Sequence, residues 1–524
     1  MSVRLENVSE ARWRVWERWA CTIVPALVAT ALGMPFLFGE RWMADTPYYQ
    51  AIAMQSARGT LADWWTLHEG GVQYFNKPPL AFWMHALSVR LFGEVDYAYR
   101  LPELLWFVLT CVLTARLARR VYGGAAGARI GVFAGVVMAL TDDWVWRVSN
   151  FRLEFLVTVS LIGALVCWVE AFGIGREQEP GDRAADSSWN RAWWAIGAGV
   201  CLGLALLTKP LIALGMLPLG AAWLVLIGRL SRRNLLMLGV SAGAAVCVAL
   251  PWHLSMVIMH GRAFTDAYFV NQSYKRATGQ MFNPEPWYWY FQHMADGARD
   301  VKPYRMLAIY GAALAGVVLI AVRGLPREKR AGDVLALLYT FGWLIALCVF
   351  KDKRNYYLLV IHPGTALLAG RLLGSVIPGG IVRWMSVAGA MTGMVLLGRA
   401  MVTAPKYRER IPLPPERQAL VDFIKAHAGE MIYNGGLTYQ EPAIVYIHTG
   451  VWPIYFLEKE IVQPEQVPPG GLIVYREDQL GRADRPARID PNDEEVFRVR
   501  GAGKPAPNIE TRTYIVVRRR GETK

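Results

Sequence analysis

A polytopic α-helical membrane protein with a small C-terminal α/β domain is the fold class this sequence predicts. Three observations predict it. Of the 524 residues, 54% are hydrophobic and 21 are tryptophan, more apolar surface than a soluble core can hide. The apolar residues fall in runs long enough to cross a bilayer. From about residue 404 the chain turns polar and proline-rich, with helix-like and strand-like stretches in alternation.

Arg4, Arg12, Arg14 and Arg18 precede a first apolar run at about 19–38. Its length predicts a retained span with the N-terminus inside rather than a cleaved signal segment. Further runs lie at about 100–119, 127–142, 154–174, 192–208, 210–228, 235–259, 305–323, 333–350, 356–374 and 383–402. A shorter run at 80–92 contains Arg90, so it either crosses or skims the membrane surface. The expected count is about eleven spans, and up to thirteen if 80–92 crosses with a compensating extra span nearby.

Positive charge orients the chain. Basic junctions at 116–129, 229–233, 323–330 and 371–383 share the cytoplasmic side when 80–92 does not cross. Residues 39–79, 142–152, the Lys209–Pro210 hinge, 260–304 and 351–355 then face outward, as does the tail. Lys351, Lys353 and Arg354 break the positive-inside trend, which suggests a local task such as meeting an anion. The polar stretch at 173–189 reads as a cytoplasmic loop.

The expected division is a membrane domain over 1–403, with outside loops at 39–79 and 260–304, and an α/β domain over 404–524 outside the membrane. Within the tail, 415–429 and 438–450 read as helices, and 430–435, 470–477 and 511–520 as strands.

The net charge of +14 is what cytoplasmic loops of a membrane protein supply, and it does not argue for nucleic acid. Cys21, Cys111, Cys167, Cys201, Cys247 and Cys348 all fall in apolar runs without a CxxC pair. They read as small buried hydrophobes, neither a disulfide frame nor a metal site. The histidines, His253 and His260 among them, have no tight ligand spacing. GAGVCLG at 197–203 mimics a dinucleotide loop but lies within a span, where helix packing explains it better.

The polar segment around Asp45 and Lys77 carries the candidate chemistry. Transfer of a sugar from a lipid phosphate needs a base for the acceptor hydroxyl and positive charge for the departing phosphate. A monophosphate can leave with lysine or arginine help alone, so no metal is required, and the place of a divalent ion stays open. Asp45, just beyond the first span, suits the base. It equally suits a helix N-cap before Thr46 and Pro47. Lys77, fixed by Pro78 and Pro79, suits the phosphate, or else an interfacial snorkelling role. Glu154 at the outer lip of a span is a second acid. Its plain alternative is a structural pair with Arg152. Asp142 and Asp143 read as solvated loop acids.

Several blocks taken in order carry a resemblance. They are DTPYYQAIAMQ, YFNKPPLAFWMHALSVRLFG, YAYRLPELL, NFRLEFLVTV, GLALLTKPLIAL, LPWHLSMVIMHGRAFTDAYFVNQSYKRATG, PWYWYF and KRNYYLLVIHPGTALLAGRLL. Together, over most of 40–372, they resemble the GT-C glycosyltransferases, in particular the bacterial aminoarabinose transferases that modify lipid A and the protein O-mannosyltransferases. The resemblance implies an inverting transferase of the inner membrane. Its donor is an undecaprenyl-type polyprenyl-phosphate sugar, and its acceptor is an envelope glycolipid, glycan or protein hydroxyl. It puts the base on Asp45, the second acid on Glu154 beside Arg152, and the phosphate-binding lysine on Lys77 with Tyr74 close by. The late basic-aromatic block falls on Lys353, Arg354 and Tyr357, and Lys209 falls in another matching block. The sequence departs from its kin at Thr46 and Asn76, where Glu is common, and at Val360, where proline is usual. The first two changes remove acids near the site, which bears on whether the donor sugar is a cationic aminosugar.

A lipid or solute transporter is the rival reading. Transporters place ionisable groups and broken helices near the bilayer midplane. Here the acids and lysines gather at outer ends of spans, which favours chemistry on a lipid headgroup. A scaffold that merely displays the tail would leave Asp45 and Lys77 unexplained.

Overall fold

The computed structural model describes residues 19–38, 45–174, 188–280, 284–296, 303–326, 329–403, 413–438, 440–454, 461–482, 487–501 and 512–520. The N-terminal arginines, most of the polar loop at 173–189, parts of the loops at 39–79 and 260–304, Arg327 and the first residues of the tail lie outside them.

In chain order, the helices begin with α1 (Trp19–Leu37), α2 (Thr46–Arg58) and α3 (Leu61–Trp65). A hairpin of β1 (His68–Glu69) and β2 (Val72–Gln73) follows. Next come α4 (Leu80–Phe92), α5 (Asp96–Tyr122), α6 (Gly124–Ala139), α7 (Asp142–Val145), α8 (Leu153–Phe172), α9 (Ser188–Leu206), α10 (Pro210–Leu214), α11 (Met216–Leu226) and α12 (Arg232–Thr265). A π-helix, Asp266–Lys275, leads into α13 (Arg276–Thr278). Then come α14 (Trp289–Asp296), α15 (Pro303–Arg323), α16 (Arg330–Val349), a 3-10 segment Asn355–Ile361, α17 (His362–Val376) and α18 (Gly379–Thr403). The tail holds α19 (Pro415–Ala426), β3 (Ile432–Asn434), α20 (Glu441–Thr449), β4 (Leu472–Arg476), β5 (Glu494–Val499) and β6 (Tyr514–Arg518).

The chain forms two compact units. One comprises residues 1–39, 75–84 and 100–406, and the other 40–74, 85–99 and 407–524.

The first unit is a multi-pass membrane bundle. Among the described residues eight helices are long and apolar enough to cross, or nine if α6 and the segment Asp142–Ser149, bent by 54°, make one broken span. The expected runs at 192–208 and 210–228 are also helical, as α9 and α10–α11, but are not among the eight. The 80–92 run forms the 13-residue α4. At 1.5 Å per residue it is about 20 Å long, short of a hydrocarbon core of about 30 Å. That fits the skimming reading.

Proline sets several helix starts, because its missing N–H is one the first turn cannot use anyway. It occupies the first turn of α2, α10 and α17. The glycines of GAGVCLG serve close packing. A Cβ at Gly199 would lie 2.4 Å from the Ser241 carbonyl oxygen, and one at Gly203 2.5 Å from the Val248 Cβ, so only glycine lets α9 approach α12 this closely.

The basic junctions meet at one end of this bundle. Arg120 closing α5 pairs with Glu170 closing α8 at 3.1 Å. Arg330 opening α16 donates to the Leu226 carbonyl closing α11 at 2.8 Å. Arg371 near the end of α17 pairs with Asp333 at 2.8 Å and lies over the Tyr122 ring. Arg371 and Asp333 are both buried, so Arg371 is a packed ion-pair partner and not only a flanking loop charge.

In the second unit a four-stranded sheet runs in the order β3-β4-β6-β5. β3 and β4 are parallel, and the other pairs antiparallel. β4 and β6 are buried along their length, with Leu472, Val474, Tyr514 and Val516 packed on one side and Ile473, Tyr475, Ile515 and Val517 on the other. The two helices and three strands expected in the tail are present. β5 was not foreseen, since its Glu-Glu-Val-Phe-Arg-Val pattern is that of a half-exposed edge strand.

Candidate active site

Two lysine–proline turns build one wall of a cavity in the membrane unit. The Leu80 amide donates to the Leu207 carbonyl at 3.2 Å, which sets Asn76-Lys77-Pro78 beside Thr208-Lys209-Pro210. All six of these residues line the cavity, which is partly open to solvent. Lys209 is the residue before the first turn of α10, where the helix dipole disfavours a cation. Glu154 offsets that cost: its carboxylate accepts from the Lys209 ammonium at 2.5 Å and is buried. Glu154 therefore pairs with Lys209, not with Arg152. The Lys209 ammonium also lies 4.0 Å from the centre of the Tyr357 ring.

Further lining comes from the chain beyond a break in α12. Gly261 has φ 50° and ψ −125°, a conformation that glycine adopts at little cost. Beyond it the chain runs on into the π-helix. Tyr268, Gln272 and Arg276, four residues apart, all face the cavity. π-helical turns of this kind often occur at functional sites. Gln272 accepts from the Lys77 ammonium at 2.9 Å. Arg276 donates to the Tyr357 hydroxyl at 3.4 Å and lies 3.8 Å from Asp352. Tyr268 meets His253 at 2.9 Å. Trp343, Ala346, Leu347 and Phe350, one face at the end of α16, supply apolar lining.

Lys77, Lys209, Arg276 and Tyr357 are thus brought together, with Asp352 the carboxylate among the lining residues. Arg354 lies behind, 3.3 Å from Asp352. Arg152 stacks on Tyr356 at 4.7 Å, and its amide donates to the buried Glu103 at 2.8 Å. Lys353 points elsewhere. Its ammonium donates to the Cys348 carbonyl at 3.0 Å and to the Phe350 carbonyl, at the end of α16. Burial holds it below the ordinary lysine range. A cation there caps the helix terminus.

Asp45 and Tyr74 belong to the second unit. Asp45 stands at the N-cap of α2, and its backbone carbonyl accepts from the Tyr49 amide at 2.9 Å. Its side chain makes no capping bond, so position and capping role part company. The Tyr74 ring packs edge-on against Tyr48 with centroids 5.9 Å apart.

Asp142 and Asp143 are buried, not solvated. Asp143 pairs with Arg147 and Asp142 with Arg305, each at 2.5 Å. Arg147 one turn on and Arg305 in a distant helix offset the cost of that burial, and only Arg147 lies within the loop sequence itself. Among the described residues no group of three or more His, Cys, Asp and Glu side chains is placed to hold a metal ion.

The chain shares its fold with solved GT-C membrane glycosyltransferases. It superposes on ArnT from Cupriavidus metallidurans bound to undecaprenyl phosphate with a TM-score of 0.64, at 16% identity over 96% of this chain and 98% of that one. It superposes on the oligosaccharyltransferase AglB from Archaeoglobus fulgidus with a TM-score of 0.52, at 11% identity over 85% of this chain and 65% of that one.

Residues 76–252 match the family described as dolichyl-phosphate-mannose-protein mannosyltransferase. The chain is 25% identical over 335 residues to an undecaprenyl phosphate-α-4-amino-4-deoxy-L-arabinose arabinosyl transferase of Edwardsiella ictaluri, covering 63% of this chain and 55% of that protein. It is 26% identical over 369 residues to the Pseudomonas aeruginosa enzyme of the same name, covering 69% and 60%. The resemblance read from the motifs is thereby shown. The chain spans less than two thirds of the length of these relatives.

Proposed function

We propose that the chain is an inverting glycosyltransferase that moves a sugar from a polyprenyl-phosphate donor to an envelope acceptor. The observation that carries this reading is the convergence of Lys77, Lys209 and Arg276 on one largely apolar cavity of the membrane unit. Three cations facing apolar walls suit a phosphate attached to a lipid. The undecaprenyl phosphate bound by the Cupriavidus protein of like fold supports the same ligand class.

In the reaction, the acceptor hydroxyl attacks the anomeric carbon as the bond to the phosphate oxygen breaks. The electron pair stays on the phosphate, where Lys77 and Arg276 stabilise it, and Tyr357 is held beside them by Arg276. The hydroxyl proton goes to a base, for which Asp45 is the motif-matched candidate. Glu154 holds the Lys209 ammonium in place. Lipid A, a related glycolipid, a glycan and a protein hydroxyl are the acceptor classes in view. Orientation follows the positive-inside rule. The end of the bundle holding Arg120, Arg330 and Arg371 is cytoplasmic, and the tail lies outside the bacterial inner membrane.

Mass spectrometry of lipid A, glycans and secreted proteins from a deletion strain tests this. Loss of one glycosylated product together with accumulation of a polyprenyl-phosphate sugar is expected. Restoration by the wild type and not by Asp45→Asn completes the test. An unchanged envelope and lipid pool would contradict it.

A further inference from the structure

The second unit ties the helix that begins next to Asp45 to the tail. α2 packs along α20, so two segments nearly 400 positions apart share a core. At the end of α2, Arg58 makes a two-pronged pair with Glu94, Nε to Oε1 at 2.6 Å and Nη2 to Oε2 at 2.7 Å. The same guanidinium lies over the Tyr446 ring of α20, 5.4 Å from its centre. A Cβ on Gly450, just after α20, would come within 3.3 Å of it. The β1–β2 hairpin makes a second tie. Gly70 has φ 60°, and a Cβ there would lie 2.4 Å from the Trp452 ring, so tail and hairpin interlock. Glu69 of the hairpin accepts from the Tyr48 hydroxyl in the first turn of α2. The helix is therefore held at both ends, and at each end the hold runs to the tail.

We propose that Arg58 is a positioning residue for the transfer reaction. By clamping the C-terminal end of α2 to α20, it fixes the helix whose N-terminal residue follows Asp45. The tail is then a brace for the base-bearing helix and not a separate appended domain. This rests on the reading of Asp45 as the base. An exposed ion pair alone contributes little to stability. A bidentate pair stacked on an aromatic face has a defined geometry, and small displacements of a catalytic group cost rate steeply.

The test uses full-length protein in membranes of a deletion strain that expresses Arg58→Ala, Arg58→Glu, Glu94→Arg, the charge-swapped double variant or Asp45→Asn. Initial rates of product formation are read by mass spectrometry against added lipid extract of the deletion strain, in which donor accumulates. Arg58→Ala and Arg58→Glu are expected to lower the maximal rate roughly tenfold while the half-saturating donor level stays within about twofold. Affinity for undecaprenyl phosphate should also be unchanged, and the double variant should regain most of the rate. Arg58→Ala with a wild-type maximal rate, beside an inactive Asp45→Asn, overturns the clamp alone. So does a well-folded double variant that stays slow. An active Asp45→Asn removes the base assignment, and the clamp with it.

Discussion

The Lys209 ammonium lies 2.5 Å from the Glu154 carboxylate and 4.0 Å from the centre of the Tyr357 ring. One nearly buried cation thus joins the acid of α8, the first turn of α10 and the aromatic residue after α16. Removing one member of a buried pair leaves the other charge uncompensated, at about 3–5 kcal/mol. Glu154→Gln should therefore lower the unfolding temperature of the purified protein and reduce turnover. Glu154→Gln combined with Lys209→Met should recover stability without recovering activity. A Glu154→Gln protein that melts like the wild type would show that the pair carries no load.

Lys353 separates helix capping from donor binding. Its ammonium sits on the carbonyls of Cys348 and Phe350, a contact worth roughly 0.3–1 kcal/mol. Lys353→Ala should lower thermal stability slightly and leave affinity for undecaprenyl phosphate within about twofold. A tenfold loss of affinity at unchanged stability would return Lys353 to the phosphate site.

Acid should loosen the tail. Burial alone would raise the Glu441 carboxyl, but Arg476 and Arg512 outweigh it and hold it below the usual carboxylate value of 4.5. The contacts are 3.2 Å to Arg476 and 2.8 Å each to Arg512 and the Tyr514 hydroxyl. A pKa lower folded than unfolded gives stability that is complete above about 4.5 and lost as pH falls through the folded value. Unfolding of the tail, followed by fluorescence, should steepen below about pH 4.5 in the wild type. Glu441→Gln should be less stable at neutral pH and flatter in acid. An equally steep acid limb in the variant would assign the effect to other carboxylates.

Topology has a direct chemical readout. Pro469 is exposed in the tail, and an impermeant thiol reagent should label Pro469→Cys in cells whose outer membrane alone is permeabilised. The native cysteines are replaced first. Labelling only after inner-membrane lysis would place the tail in the cytoplasm.

Local patterns made much of this legible. The apolar runs, the Lys77-Pro78-Pro79 turn before α4 and most tail elements are written in adjacent residues, through hydropathy period and proline placement. The rest of the cavity is not. Tyr268, Gln272 and Arg276 reach it because Gly261 breaks α12 and a π-helix follows. A glycine inside a long helical run, followed by Lys275-Arg276, was the available signal, but helical periodicity does not say where a broken helix turns. The partners of Asp142 and Glu154 were hidden for a similar reason, since Arg305 and Lys209 are distant in sequence. The union of residues 40–74 and 85–99 with the tail in one unit is likewise a long-range contact that no local pattern encodes.

Affinity for undecaprenyl phosphate tests the central claim most directly, because Lys77 and Arg276 should each supply a charge-assisted contact to its phosphate. Such contacts are worth about 1.5–3 kcal/mol apiece. The measurement is a titration of undecaprenyl phosphate into full-length protein in nanodiscs, in buffer containing EDTA. Saturable binding is expected for the wild type, weakened at least about tenfold by Lys77→Ala or Arg276→Ala, with folding intact. No saturable binding by the wild type, or equal affinity in wild type and both variants, would contradict the account.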